Sequence, residues 1–209
     1  MKFQILDCKS ISDLLNQIKE YSKSLGEIET PKEIERKWLM RNDFNYIIEY
    51  LTSKFSPCVK HIEILQGYIS VNPEIRYRSS RDIETSNINY YIAYKSDGDL
   101  VRDEIELPIT LKSAFSFGRK ISTNKKIKEI NGSKFIVKDY YVFDIDGIRL
   151  QISQVDNNPN FIYSEIEFAT EEDAENFKIP ESISHLFVKE VTDNSNYKMK
   201  NYWKRTRLK

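Results

Sequence analysis

The apolar rhythm of the chain changes once, near residue 31. Before it, Ile11, Leu14, Leu15, Ile18, Tyr21 and Leu25 recur every three or four residues, the period of one helix face. Ser10 and Asp13 form a capping pattern ahead of them, and Gly26 stands where a helix would stop. A short strand around Phe3 and Ile5 precedes this helix. Residues 1–30 thus read as an appendage packed outside a main domain, 31–209. A dimer contact or a lid are the other roles such a helix could take.

After Thr30-Pro31 the period falls to two, the spacing of a half-buried strand. Strands are predicted at Glu33 to Met40, Val59 to Val71, Glu74 to Arg81, Ile88 to Lys95, Leu100 to Leu107, Lys120 to Ile130, Ser133 to Asp144, Ile148 to Val155 and Phe161 to Ala169. Asn72-Pro73, Asp97-Gly98, Asn131-Gly132 and Asp146-Gly147 are the turn signals between them. Helices interrupt the run. One is capped by Asn42 or Asp43 and carries Phe44, Ile47, Ile48, Leu51 and Phe55; a short one runs from Thr110 to Gly118; another opens at Thr170 and reaches Phe177. The tail from Asn194 or Ser195 reads as a basic helix with Tyr197, Tyr202 and Trp203.

The polar faces of these strands are unusual. They read Glu33/Glu35/Lys37, Arg76/Arg78, Arg102/Glu104/Glu106, Arg149/Gln151 and Glu165/Glu167. A solvent face is more often Ser, Thr and Lys, with few carboxylates paired two apart. The alternative is a barrel with its charged faces turned inward and its apolar faces turned out to a jacket of helices. The fold class predicted is therefore α+β, an eight-stranded antiparallel β-tunnel with a charged lumen. Burying so many charges is costly unless they are paired or meet a charged ligand. Glu-x-Glu pairs are hard oxygen donors suited to Mg²⁺ or Mn²⁺. Lys and Arg suit phosphate oxygens, Arg bidentately. Such a lumen describes a site for a metal-bound polyphosphate.

Composition narrows the partners. The 209 residues are 40% hydrophobic and 31% charged, with 13 Tyr and 11 Phe, enough to bury a core and weighted towards strand. Lys+Arg and Asp+Glu are both 32, so the net charge is zero, which argues against nucleic-acid binding through bulk charge. Cys8, Cys58, His61 and His185 form no zinc or disulfide pattern. No apolar run reaches membrane-spanning length, and Met1-Lys2-Phe3-Gln4 begins no signal peptide. The expectation is a cytoplasmic monomer or homodimer with a small-molecule partner and neither a nucleic-acid nor a membrane partner.

The stretch Glu33-Ile34-Glu35-Arg36-Lys37 resembles the E-x-E-x-K signature of the CYTH superfamily, the triphosphate tunnel metalloenzymes. The resemblance continues in order through Arg76-x-Arg78, Lys95, Arg102-x-Glu104-x-Glu106, Glu165-x-Glu167 and Lys189 to Asp193, with Tyr197 after it. It implies a tunnel closed around a triphosphate. It further implies that Glu33, Glu35, Glu165 and Glu167, with Glu104, hold Mg²⁺ or Mn²⁺. Lys37, Arg76, Arg78, Lys95, Arg102, Lys126, Lys128 and Arg149 would bind the phosphate chain, and Glu35, Lys37 and Glu106 would be catalytic. Two positions depart from the pattern. Ser153 stands where an acidic residue is common, and Lys126-x-Lys128 stands near a typical K-x-R pair, keeping the charge without the bidentate grip. The function implied is metal-dependent hydrolysis of inorganic tripolyphosphate. The alternatives are a class IV-type adenylate cyclase or a nucleoside or thiamine triphosphatase, with Tyr90, Tyr91 and Phe161 as candidate stacking residues. A non-catalytic polyphosphate or nucleotide binding module is the third.

Overall fold

Nine strands frame the protein in a computed structural model that describes residues 32–208, together with Asp13, Asn16, Gln17 and Glu20, which are helical. The rest of the 1–30 appendage, including its strand and most of its helix, lies outside the described residues. The strands are β1 Lys32–Met40, β2 Lys60–Val71, β3 Glu74–Asp82, β4 Ile88–Lys95, β5 Val101–Pro108, β6 Ile136–Ile145, β7 Ile148–Val155, β8 Ile162–Glu167 and β9 Phe187–Glu190. They run in the order β5-β4-β3-β2-β6-β7-β8-β1-β9, and β1 also pairs with β5. That pairing closes an eight-stranded antiparallel barrel, the architecture that the alternation predicts.

β1 is the seam. Its start, Lys32 to Ile34, pairs with Val101 to Asp103 of β5, and its end, Trp38 to Met40, pairs with β9 on the same side. Its other edge pairs with β8 throughout Glu35 to Leu39. Arg36 points outward and fastens the seam. It donates to both carboxylate oxygens of Glu190 on β9, and to the carbonyls of Ala174 and Phe177.

The apolar faces point out, under helices. α1 (Phe44–Lys54) lays Phe44, Ile47 and Leu51 on Phe143, Leu150, Ile152 and Ile166. α2 (Leu111–Ser122) lays Ala114, Phe117 and Ile121 on Ile75, Tyr77 and Ile92. Each begins at a side-chain cap. Asp43 accepts from the Tyr46 N–H at 3.1 Å, and Thr110 accepts from the Ser113 N–H at 3.2 Å, caps of about 1 kcal/mol apiece. α3 (Glu171–Asn176) is capped by Thr170, and α4 (Glu181–Ser184) follows it.

α5 (Met199–Arg207) floors one end of the barrel after a 3₁₀ turn at Ser195–Tyr197. Its Tyr202 and Trp203 pack with Tyr68 and Tyr163, whose strand positions face the lumen. Arg207, fully buried, grips both oxygens of Asp156 at 2.7 Å, and the Tyr202 hydroxyl donates to the same carboxylate at 2.7 Å.

Two elements differ from the sequence reading. Lys120 to Ile130 is no strand. α2 continues to Ser122 because its apolar stripe runs on to Ile121, past Gly118, which sits close to the Tyr77 ring. The following loop makes only isolated bridges, Ile127 to Leu208 and Ile130 to Ser133. The short β9 is the other: Phe187–Glu190 has no apolar alternation and forms by addition to the seam.

Candidate functional site

The alternation that turns apolar residues outward turns the charges in. The barrel encloses a cavity of about 880 Å³. Glu33, Glu35 and Lys37 enter it from β1, Arg76 and Arg78 from β3, Lys95 from β4, Arg102, Glu104 and Glu106 from β5, and Glu165 and Glu167 from β8. Every inward position of the motif strands thus meets in one lumen.

In the protein alone the charges satisfy one another. Lys95 donates to both oxygens of Glu33 at 2.7 and 2.8 Å and lies 3.0 Å from Glu104. Arg102 bridges Glu33 at 2.5 Å and Glu35 at 2.7 Å. Arg76 reaches Glu104 at 2.9 Å and Glu106 at 2.8 Å. It can do so because its neighbours in register are Ala93 and then Glu106, and a methyl at 93 leaves the path across β4 open. Lys37 donates to Glu165 at 2.7 Å and sits 3.7 Å over the Tyr163 ring.

The balance is not complete. The Nε groups of Arg76 and Arg78 are buried without a hydrogen-bond partner. Leaving a buried donor unsatisfied costs about 1–3 kcal/mol, and these two face the cavity. Lys138 of β6 also lines the cavity, 7% exposed. Burial pulls its pKa well below the usual lysine range; Glu165 opposes that, and the cations of Lys37, Arg78 and Arg76 reinforce it. Its amine thus shares the cavity wall with the cations of Lys37, Arg76 and Arg78.

The carboxylates divide by environment. Burial pushes Glu35 up to about 7, helped by the negative charges of Glu165 and Glu33 and opposed by Arg102 and Lys95. Burial also opposes ionisation of Glu33, but Lys95 and Arg102 outweigh it and hold that carboxyl far below the usual range. Glu165 is likewise drawn down to about 2, by Lys37 and Lys138 against its burial. Burial raises Glu104, with Arg76 and Lys95 opposing. Glu106 is lowered, its burial overcome by Arg78 and Arg76.

Other predicted residues fall elsewhere. Lys126 and Lys128 are exposed in the loop after α2 and do not line the cavity. They were expected on a strand that does not form, and the inward lysine of this part of the barrel is Lys138. The signal for it was its own strand: Lys138 and Tyr140 share a face with Val142 in the alternating stretch 133–144. Arg149 stands at the rim, more than half exposed and paired with Asp144 at 3.1 Å. Ser153 is buried and opposes Tyr163 in register. Of the stacking candidates, Tyr91 lines the cavity, whereas Phe161 is buried in the core beside Tyr202 and Tyr90 packs on that same core.

The expected metal ligands also need qualification. Among the described residues no three His, Cys, Asp or Glu side chains converge on one point as ligands. Glu33, Glu35 and Glu165 turn to Lys or Arg, and Glu167 accepts from Gln151 at 2.9 Å. The donor chemistry nevertheless fits a hard divalent cation: Glu35 opposes Glu167 in register, Glu165 is two residues away on the same strand, and after burial the charge of Glu165 is the next cause that raises Glu35.

No family model matches the chain, and no curated protein matches it. Among solved structures, a protein from Pyrococcus horikoshii OT3 is 18% identical with a TM-score of 0.44, covering 85% of this chain and 91% of that one. A conserved hypothetical protein from Pyrococcus furiosus is 17% identical with a TM-score of 0.43, over 68% and 82%. A chain of the Schizosaccharomyces pombe Mediator head module is 10% identical with a TM-score of 0.45, over 74% and 88%. Likenesses this distant leave function to be argued from the lumen.

Proposed function

We propose that this chain is a triphosphate tunnel enzyme of the CYTH type that hydrolyses inorganic tripolyphosphate with a divalent cation. The observation that carries the reading is the convergence of Lys37, Arg76, Arg78, Lys95, Arg102 and Lys138 on one barrel lumen. A linear triphosphate supplies many anionic oxygens in a row. It would pair with these cations and release them from their holding carboxylates.

Glu35, Glu165, Glu167 and Glu33 are the residues that would hold Mg²⁺ or Mn²⁺. Bound there, the ion would neutralise phosphate oxygens and polarise the bond to be broken. The chain's own contribution is positioning and charge. Arg76, Arg78 and Lys138 grip one side of the phosphate chain, and Lys37, Lys95 and Arg102 the other. Glu106, kept ionised by Arg78 and Arg76, is an acceptor able to orient the attacking water. Ala93 keeps the lumen open between Arg76 and β5.

A second reading rests on Tyr91, an aromatic ring at the cavity wall that could stack a nucleobase on a nucleoside triphosphate. Turnover of tripolyphosphate, ATP and thiamine triphosphate, each with Mg²⁺ and with Mn²⁺, separates the readings. Phosphate release is expected to be fastest from tripolyphosphate. Cyclic AMP as the main product from ATP would move the assignment to a cyclase. Binding of all three without turnover would leave a binding module.

A further inference from the structure

A basic strip that the tunnel does not use runs from the end of α2 into the loop after it. Residues 119–134 hold Arg119, Lys120, Lys125, Lys126, Lys128 and Lys134 against a single acid, Glu129, in a chain of zero net charge. Lys134 pins the strip: its ammonium donates to the carbonyls of Ser122 and Asn124 at 2.7 and 3.1 Å. The Lys128 N–H, donating to the Arg207 carbonyl at 2.8 Å, ties the same loop to the buried end of α5. The other five cations are exposed, and none forms an ion pair among the described residues.

Two large exposed apolar side chains stand on α2, which leads into this strip. Leu111 is 53% exposed and Phe115 69%. Leu111, Phe115 and Arg119 follow one another at four-residue spacing, so they line one outward face of α2. The opposite face, Ala114, Phe117 and Ile121, is committed to the barrel. This outward line begins apolar and ends basic, and the loop cations extend its basic end.

A ligand for the strip must therefore take both cations and apolar side chains. A polyphosphate chain or a phosphodiester backbone takes the cations and leaves Leu111 in water. An anionic bilayer takes both. Its headgroup phosphates and carboxylates meet the lysines, while Phe115 and Leu111 enter the boundary with the acyl chains. We propose that this strip is a peripheral docking surface for membranes rich in anionic phospholipid. Such docking needs no spanning segment, and among the described residues no helix is long and apolar enough to cross a bilayer.

Co-sedimentation of the full chain with lipid vesicles tests this. Binding is expected to vesicles of phosphatidylcholine with phosphatidylserine, weakly or not at all to phosphatidylcholine alone, and to fall as salt is raised. Each basic residue removed should weaken it about fivefold, so the combined Lys125→Glu, Lys126→Glu and Lys128→Glu variant should lose it. Phe115→Ser should weaken it roughly tenfold with an unchanged thermal midpoint, since Phe115 supports no core packing. No binding to phosphatidylserine vesicles would overturn the proposal. So would Phe115→Ser binding as tightly as the natural chain, or an oligonucleotide or long-chain polyphosphate binding the strip where vesicles do not.

Discussion

Glu35→Gln should make the ligand-free protein more stable while removing the metal-dependent activity proposed for it. Glu35 has its carboxyl raised from 4.5 to about 7, by burial first and then by the charges of Glu165 and Glu33. Between those two pH values the folded chain holds a proton that the unfolded chain releases. Stability therefore falls as pH rises through that window, and the full penalty applies above pH 7. At 1.36 kcal/mol for each pH unit, the gap corresponds to about 3 kcal/mol. Glutamine carries no charge to repel Glu165, and its carbonyl can still accept from the Arg102 Nη2 that Glu35 now holds at 2.7 Å. Scanning calorimetry without divalent ions should show the variant melting roughly 5–10 °C higher at pH 8, and close to the natural chain at pH 4.5. With Mn²⁺ present the order should reverse, because the ion relieves the repulsion only where the carboxylate exists. A variant less stable than the natural chain at pH 8, or a difference that does not change with pH, would refute this reasoning.

Other outcomes follow from the same geometry. Lys138→Met should leave stability equal or greater near neutral pH, where burial opposes the ammonium, yet weaken tripolyphosphate binding at least tenfold in a calorimetric titration; loss of the fold would show that the amine is structural. Because its folded pKa is lowered, Lys138 also makes stability rise with pH up to the ordinary lysine value of about 10.4, and urea midpoints of Lys138→Met should lack that rise. Asp156→Ala strips the partner from Arg207, which is 0% exposed, and should cost about 3–5 kcal/mol by urea denaturation; a cost under 1 kcal/mol would mean that α5 is held by Tyr202 and Trp203 alone. Ala93→Leu should fill the path between Arg76 and Glu106 and lower turnover more than it lowers the thermal midpoint.

The barrel was legible because each strand repeats one rule. Ile75 and Tyr77 against Arg76 and Arg78, or Ile162 and Ile166 against Glu165 and Glu167, state the pleat and its inside-out sense together. The closure was legible from the inward charges and the family resemblance, not from its own pairing, since only Lys32 to Ile34 pair with β5, and three residues carry no periodic signal. β9 was not legible, because Phe187–Glu190 forms on an edge made available by the end of β1. The stretch 120–130 misled because Lys125, Lys126, Ile127 and Lys128 look like a charged strand face, while the apolar stripe that extends α2 through Ile121 has a period of nearly four. That one misplacement moved the basic pair from the surface to the lumen and hid Lys138. Arg36 shows the reverse limit. In sequence it belongs to the charged motif, but its strand parity sends it outward to Glu190.

The most direct test of the central claim is a calorimetric titration of tripolyphosphate into the ligand-free chain and into Arg78→Gln, which removes one of the cations that line the lumen. The account predicts one tripolyphosphate per chain, far weaker binding of orthophosphate, and a drop of at least tenfold in Arg78→Gln with the melting point retained. Tripolyphosphate that fails to bind the natural chain, or that binds Arg78→Gln equally well, would contradict it.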